Sequence, residues 1–425
     1  RETMEEVEEV VIVGAGVAGL AAAVALRRVG LRAVVLERSD GLRTEGTAVT
    51  LAPNAWRALD ALAVAPKLRP LYPTIHRSII LDVPSGTTLE VPLNPGGTGV
   101  AEVRTVHRTA LLEALAAELP PASIRFSSKP VAFENDPPSP VTLIRLADGT
   151  ALRAKTVIGC DGVHSRVARW LGLAEPLHSG RSAVRGLARF PDGHGLSHDV
   201  RQFVDGDRRA GFVPLNNTTL YWFLTCKSTL AAEEIGGPEK IRDLVLHHEC
   251  EDFPAIYKDA VRHSDMDTVS WAPLLFRAPW SLAFGSISSG GVAVAGDAMH
   301  PMTPDLAQGA CSALEDGVAL GQHLGRCFLE NGGKLAAGAA GGALKGYARQ
   351  RRWRAVKLIV ASYLSGWAQQ SGTTWWKRAL RDSTFYRYGF RLLMDGVVYD
   401  CGDLPRPQGA GAGDDDVMLK PSKTD

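Results

Sequence analysis

The sequence predicts an α/β fold in which a parallel-sheet domain is interrupted by an inserted antiparallel β-sheet and followed by a C-terminal helical segment. Three observations carry this. Residues 10–13 (VVIV) form an apolar run ending in GAGVAG, followed by a helix-like AAAVALRRVG and a second apolar run, AVVLE. Strand, turn, helix, strand is the crossover unit of a parallel sheet. Residues 180–285 instead hold alternating, aromatic-rich stretches such as AVRGLARF and TLYWFLTC, the pattern of antiparallel strands. Ala-rich helical text returns at 310–330, and residues 343–398 read as largely helical.

The remaining elements follow in order. SIILDVPSGTTLEVPL (78–93) reads as a hairpin turning at PSG, and RTALLEALAAEL (108–119) spaces Leu111, Leu112, Leu115 and Leu119 as a helix face. From 141, VTLIRLADGTALRAKTVIGCDGVHSRVARWLG predicts a hairpin at ADG, a buried strand TVIGC, a turn and a helix. In the helix after GVAVA (291–295), Ala310, Leu314 and Val318 make one stripe, and Ala313, Gly317 and Gly321 a small one that lets it lie close to the sheet. GGKLAAGAAGG (332–342) reads as a flexible connection, the basic run RQRRWR (349–354) as a solvated helix face, and the tail 405–425 as disordered.

Composition bounds the function. The chain has 425 residues with a formal net charge of +1, enough for more than one domain and without a global field for nucleic acid or an anionic membrane. No apolar run is long enough to span a bilayer. Cys160, Cys226, Cys250, Cys311, Cys327 and Cys401 form no CxxC pair, so reduced thiols and no metal site are expected. The acidic start RETMEEVEEV matches neither a signal nor a transit peptide. The expectation is an intracellular, cytoplasmic protein, with a plastid location open if a transit segment precedes this chain, and a small-molecule ligand.

Gly14-Ala15-Gly16-Val17-Ala18-Gly19 matches GxGxxG between a strand and a helix. There glycine permits a tight turn and backbone approach to a pyrophosphate, and the helix dipole favours the anion. Glu37 closes the second strand, where a carboxylate would accept from ribose hydroxyls. This spacing points to a dinucleotide and leaves NAD and FAD both open. Asp161-Gly162 with Ser165 and Arg166 follows the buried strand, a pattern that also serves as a plain helix cap. Gly296-Asp297 ends the run GVAVA, and a carboxylate at a strand end can accept from a polyol chain.

Taken together, GxGxxG early, Asp161-Gly162 midway and Gly296-Asp297 late resemble the flavoprotein aromatic monooxygenases of the p-hydroxybenzoate hydroxylase type over roughly residues 8–400. LRTEGTAVTLAPNAWRALDAL (42–62), SRVARWLG (165–172), RAGFVP (209–214) and HPMTPDLAQGACSALED (300–316) are similar to a plant monooxygenase branch related to salicylate hydroxylase and zeaxanthin epoxidase. The resemblance implies a Rossmann-like FAD-binding domain split over residues 8–75, 101–180 and 287–342, a substrate domain from the hairpin 76–100 and the sheet 181–286, and C-terminal helices over 343–404. It implies that NAD(P)H reduces FAD, that O2 adds at the flavin C4a, and that the hydroperoxide passes one oxygen atom to a small aromatic or isoprenoid-like substrate. Hydroxylation of an aromatic acid, phenol or indole is favoured, with epoxidation, N-hydroxylation or a non-catalytic FAD-binding role as alternatives. The protein is expected to be a monomer or weak dimer.

Carried onto this chain, the resemblance puts FAD on Gly14, Gly16, Val17, Ala18, Gly19, Glu37 (adenosine ribose), Arg38, Arg43, Arg108, Asp161, Gly296, Asp297 (ribityl chain), Pro304, Leu306, Ala307, Gln308, Gly309 and Ala310. His300, Pro301, Pro304 and Arg185 are the catalytic candidates, His300 as proton relay or turn anchor and Arg185 as partner of a carboxylate. Phe212, Val213, Pro214, Tyr221 and Phe223 are the substrate-binding candidates, of which period-two alternation lets only some point inward. The family's Asn-Leu-Gly-Gln-Gly here reads Asp305, Leu306, Ala307, Gln308, Gly309. Ala307 is harmless only at negative φ, and Asp305 adds a negative charge beside the flavin.

Overall fold

The structure, a computed structural model, describes residues 7–42, 47–93, 102–135, 140–228, 232–370 and 397–406. Arg43 and the tail beyond 406 lie outside the described residues, as do 371–396 of the expected helical segment. The chain builds two large sheets. In the eight-stranded one, Val7–Val13 is flanked in parallel by Ala33–Leu36 and Ala151–Gly159, and the latter pairs in parallel with Val292–Val294. These strands are apolar on both faces because helices cover them: Val10, Val11 and Ile12 are fully buried.

The registers align Val13 with Leu36, Val13 with Gly159, and Gly159 with Val294. All four strands therefore end at one level, and Gly14, Glu37, Cys160-Asp161 and Gly296-Asp297 leave the same edge of the sheet. That edge is where open α/β sheets bind ligands. Main-chain bonds tie the ends together: Gly14 N donates to Leu36 O (2.7 Å), Cys160 N to Val13 O (2.8 Å) and Ala295 N to Gly159 O (2.9 Å).

Helix Gly309–Glu330 departs from the expected packing. Its small stripe does not face the sheet. It faces helix Val17–Arg28, where a Cβ added at Gly317 would lie 2.6 Å from the Ala21 Cβ, one at Gly321 2.6 Å from the Ala25 Cβ, and one at Gly325 2.8 Å from Val29. Two helices approach this closely only where one presents glycine, so the GxGxxG helix and the late helix are locked as a pair.

The seven-stranded sheet runs in the order Ser270–Phe276, Leu177–Arg189, Thr219–Lys227, Arg208–Pro214, Val200–Asp205, Arg77–Asp82, Thr87–Pro92. Its pairings are antiparallel except for Val200–Asp205 beside Arg77–Asp82, where the early hairpin joins. One face carries Val184, Phe212, Trp222 and Leu224 into a core shared with Ile241, Tyr257 and Val261 of helices Pro238–Leu244 and Ala255–Arg262. The other face looks toward the first domain.

Two further expectations are corrected. The stretch 332–342 is not a free connection: Leu335 and Ala340 are fully buried and helix Ala337–Gln370 begins inside it. The run RQRRWR is not a solvated face, since Arg351 is fully buried and Arg352 and Arg354 are both engaged in hydrogen bonds. The six cysteines carry no disulfide.

Candidate active site

The glycines of the first turn divide by what requires them. A Cβ at Gly14 would sit 2.5 Å from Cys160 O, and its φ of +105° is itself a glycine conformation. One at Gly19 would sit 1.9 Å from Gly14 O. A Cβ at Gly16 meets nothing within 4 Å, so the fold does not demand that glycine and a ligand approaching the backbone would. Gly16 caps helix Val17–Arg28 with no side-chain hydrogen bond, which leaves the first N–H groups for an anion. Glu37 is buried, and each carboxylate oxygen accepts one main-chain donor, Ala15 N (2.9 Å) and Ser39 N (3.0 Å). Both oxygens keep acceptor capacity for ribose hydroxyls. Arg38, the next residue, is exposed.

Asp161 is spent on its own turn. Its carboxylate accepts from Ser165 Oγ and from Arg166 N (2.7 Å), while Ser165 Oγ accepts from Ala168 N (2.9 Å) and so caps helix Arg166–Trp170. Its part in the site is to shape the turn that packs Cys160 onto Gly14. Burial raises its carboxyl pKa, against those hydrogen bonds.

Asp297 sits in a short 3-10 turn, Gly296–Ala298, whose Gly296 has φ +58°. The Asp297 side chain is open to solvent yet walled by protein, as at the floor of a cleft. That enclosure raises its carboxyl pKa, opposed by the charges of His300, Arg108 and Arg185. Arg108, the first residue of helix Arg108–Ala116, is thereby placed at the same cleft. A Cβ at Gly296 would lie 2.7 Å from the Ala18 Cβ, so the early and late motifs touch.

His300 is fully buried beneath this turn. Its Nε2 lies 2.6 Å from Asp316 Oδ2, which also accepts from Gly296 N (2.8 Å). The imidazole thus fastens the turn to helix Gly309–Glu330. Arg351, arriving from helix Ala337–Gln370, donates Nε to Asp316 Oδ1 and Nη1 to Glu315 Oε2, both at 2.6 Å. Glu315 is further bonded by Arg354 (2.6 Å) and by Asn54 Nδ2 (2.6 Å), and Asn54 Nδ2 also reaches Gln308 Oε1 (2.9 Å). Burial alone would raise the Asp316 carboxyl; the His300 and Arg351 charges bring it down to about 2. Arg277 completes the framework, donating Nε to Met299 O (3.0 Å) and its main-chain N to Pro301 O (3.0 Å). Pro301 is buried, so it shapes this turn.

The loop after it forms the wall. Pro304 and Ala307 are exposed, Leu306, Gly309 and Ala310 half-buried, and Gln308 buried. Ala307 has φ +52° and ψ 31°, the left-handed conformation that an alanine adopts only at a cost of about 1–2 kcal/mol. Ala307→Gly should therefore raise stability by about 1 kcal/mol, read as a higher urea midpoint. Asp305 does not present the bare charge expected of it. Its side chain is fully buried and takes Arg181 in a two-pronged pair (3.0 and 2.7 Å), with Arg209 Nη1 at 3.5 Å. Arg209 is held in turn by Gln202 (2.8 Å) and lies over the Phe223 ring.

Alternation sorts the sheet residues. Arg185 stands directly opposite Phe223, and Val213 opposite Tyr221, on the face toward the cleft. Tyr221 is hydrogen-bonded to Thr47 and lies beside Arg185, while burial raises its hydroxyl pKa. Phe212 is corrected: it points to the opposite face, fully buried against Phe203 and the rear core. Pro214 pairs with Leu220, a rear-core residue, so its register is that of the rear face. Arg185 is half-buried and has no hydrogen-bond partner among the described residues.

Sequence reasoning missed Arg277, Asn54, Glu315, Asp316, Arg351 and Arg354. A signal existed for some of them: Glu315 and Asp316 adjoin the apolar stripe of an otherwise small-residue helix, and acidic residues there need cationic partners.

A dinucleotide cradle at four parallel strand ends, facing a second sheet across a cleft that holds Asp297 and Arg185, defines a flavoprotein oxygenase architecture. The chain belongs to the FAD binding domain family, whose model matches residues 8–361, and it is an FAD-dependent monooxygenase. It is 41% identical to Monooxygenase 2 of Arabidopsis thaliana over 404 residues, covering 93% of this chain and 98% of that protein. It is 28% identical to an FAD-dependent urate hydroxylase of Mycolicibacterium vanbaalenii over 73% of this chain and 78% of the relative. The fold is similar to that of Klebsiella pneumoniae HpxO complexed with FAD and uric acid, with TM-score 0.77 and 22% identity over 92% of this chain and 97% of the other. The open Gly16 backbone, the spare acceptors of Glu37 and the accessible Asp297 fit FAD as cofactor. Among the described residues no helix is long and apolar enough to cross a membrane.

Proposed function

We propose that this monooxygenase consumes NAD(P)H and inserts one atom of O2 into a small aromatic substrate carrying an anionic group, hydroxylation of an aromatic acid, phenol or indole being the favoured reaction. The observation that carries this reading is Arg185, a half-buried guanidinium on the cleft face of the sheet with no hydrogen-bond partner among the described residues. A half-buried cation at the cleft that also faces the Asp297 carboxylate can take a second, incoming anion, and a planar guanidinium suits a carboxylate or an ionised heterocycle. Phe223 directly opposite it and Tyr221 beside it offer apolar faces to a ring. The urate hydroxylase relative acts, by its name, on a small ionisable heteroaromatic, which supports the same class.

Bound FAD supplies the electron transfer and the oxygen activation. The chain's own work is then placement. Glu37 and the helix end at Gly16 would hold the adenosine and pyrophosphate parts, Asp297 would accept from the ribityl hydroxyls, and the sheet would screen the reacting ring from water. Arg185 orients the substrate by its anionic group.

The test begins with purification and the yellow colour of bound FAD. NAD(P)H oxidation is then followed with hydroxybenzoates, phenols, indoles and urate, and products are weighed by mass spectrometry. Arg185→Gln should raise KM for an anionic substrate by about 10–100-fold while leaving a neutral phenol nearly unaffected. FAD binding without any compound that accelerates NAD(P)H oxidation would sink this reading in favour of a non-catalytic one.

A further inference from the structure

We infer that the outward face of helix Ala337–Gln370, with the short helix Pro279–Phe284 beside it, docks on an anionic lipid surface. The long helix spans 34 residues without one Asp or Glu. Three of its arginines are used inside the protein: Arg351 and Arg354 on Glu315 and Asp316, and Arg352 on the carbonyls of Leu282, Ala283 and Gly285. The remaining cations, Lys345, Arg349 and Lys357, are exposed.

These three are not scattered. Lys345, Arg349, Trp353, Lys357, Val360 and Leu364 follow one another at intervals of three or four residues, so they form a single stripe along the helix. The stripe is cationic at one end and apolar at the other, with Trp353 57% and Leu364 52% exposed. Arg352 pins the end of the short helix next to Trp353, and that helix adds Trp280 at 65% and Phe284 at 87% exposure. No acidic residue occurs between Asp267 and Asp297, so the added surface carries no charge that would repel a lipid phosphate.

Exposed Trp, Phe and Leu interleaved with Lys and Arg is the make-up of an interfacial helix: aromatic rings at headgroup depth, cations on the phosphates. A nucleic acid would use the cations and leave Phe284, Val360 and Leu364 in water. The net charge of +1 does not oppose this, because a local cluster within a Debye length of the membrane acts by itself.

The experiment is flotation of the FAD-loaded full chain with vesicles of phosphatidylcholine containing phosphatidylserine, against pure phosphatidylcholine. The protein should float with the anionic vesicles only, and less at high salt. Lys345→Glu/Arg349→Glu/Lys357→Glu should lower partitioning on the order of 100-fold. Trp280→Ser/Phe284→Ser should lower it independently, with FAD content and NAD(P)H oxidation unchanged in both variants. The proposal is overturned if the wild-type protein stays in the soluble fraction with anionic vesicles. It is equally overturned if the charge variant floats as wild type does, or if DNA binds the Trp280→Ser/Phe284→Ser variant as tightly as the parent and displaces the parent from vesicles.

Discussion

Arg351→Met should destabilise the protein by about 3–5 kcal/mol, because it removes one partner of a fully buried ion network and leaves carboxylates without their countercharge. Arg351 pairs with both carboxylates, and on Asp316 it acts together with His300, while Arg354 pairs with Glu315. Since Asp316 also accepts from Gly296 N and His300, the damage should spread to the turn that carries Asp297. The expected readouts are a lowered urea midpoint and weaker retention of FAD. The pH dependence is a second check. The Asp316 carboxyl is depressed to about 2, so its contribution is fully present above the ordinary carboxylate value of about 4 and is lost as pH falls toward 2. In the variant, burial acts with less opposition, the carboxyl pKa rises, and acid loss begins at higher pH. An acid-unfolding curve that coincides with the wild type would show that Arg351 does not set the state of Asp316.

Asp305→Ala should cost about 3 kcal/mol, since it removes a fully buried carboxylate that pairs with both Arg181 and Arg209. The pair joins two parts of the chain: Asp305 belongs to the loop that walls the cleft, and both arginines belong to the substrate-side sheet. Helix Ala337–Gln370 covers the junction with Gly366, where a Cβ would lie 2.4 Å from Asp305 Oδ2. Removal of the carboxylate should therefore loosen the sheet relative to the loop as well as lower the denaturation midpoint. The double variant Arg181→Met/Asp305→Leu should be less unstable than the summed losses of Arg181→Met and Asp305→Leu, because it removes the closer charge along with its partner, while Arg209 keeps its bond to Gln202. A double variant as unstable as the sum of the two single ones would argue against a coupled pair.

Much of the cofactor half of the site was legible in the sequence. GxGxxG after VVIV, Glu37 after AVVL and Gly296-Asp297 after GVAVA are each a short apolar run followed at once by a turn, and a parallel sheet aligns the ends of such runs along one edge. The substrate half was legible only as a pattern. Alternation states that Phe212 and Val213 face opposite ways, but the phase depends on which face the helices at 238–262 cover, and that choice is made by packing between distant segments. Ala307 marks a similar limit: its identity is in the sequence, while its φ of +52° is imposed by the loop around it.

The sequence by itself determined the class of cofactor site, because that site is made of main-chain groups and carboxylates set by local strand-turn-helix geometry. Only the tertiary structure decided how the site is held. Arg351 lies 35 residues beyond Asp316, and Arg181 lies 124 residues before Asp305. Each charge read alone looks like a solvated residue or an intruder near the cofactor. Burial against its partner reverses that reading, since a desolvated ion is stable only where the fold delivers the opposite charge.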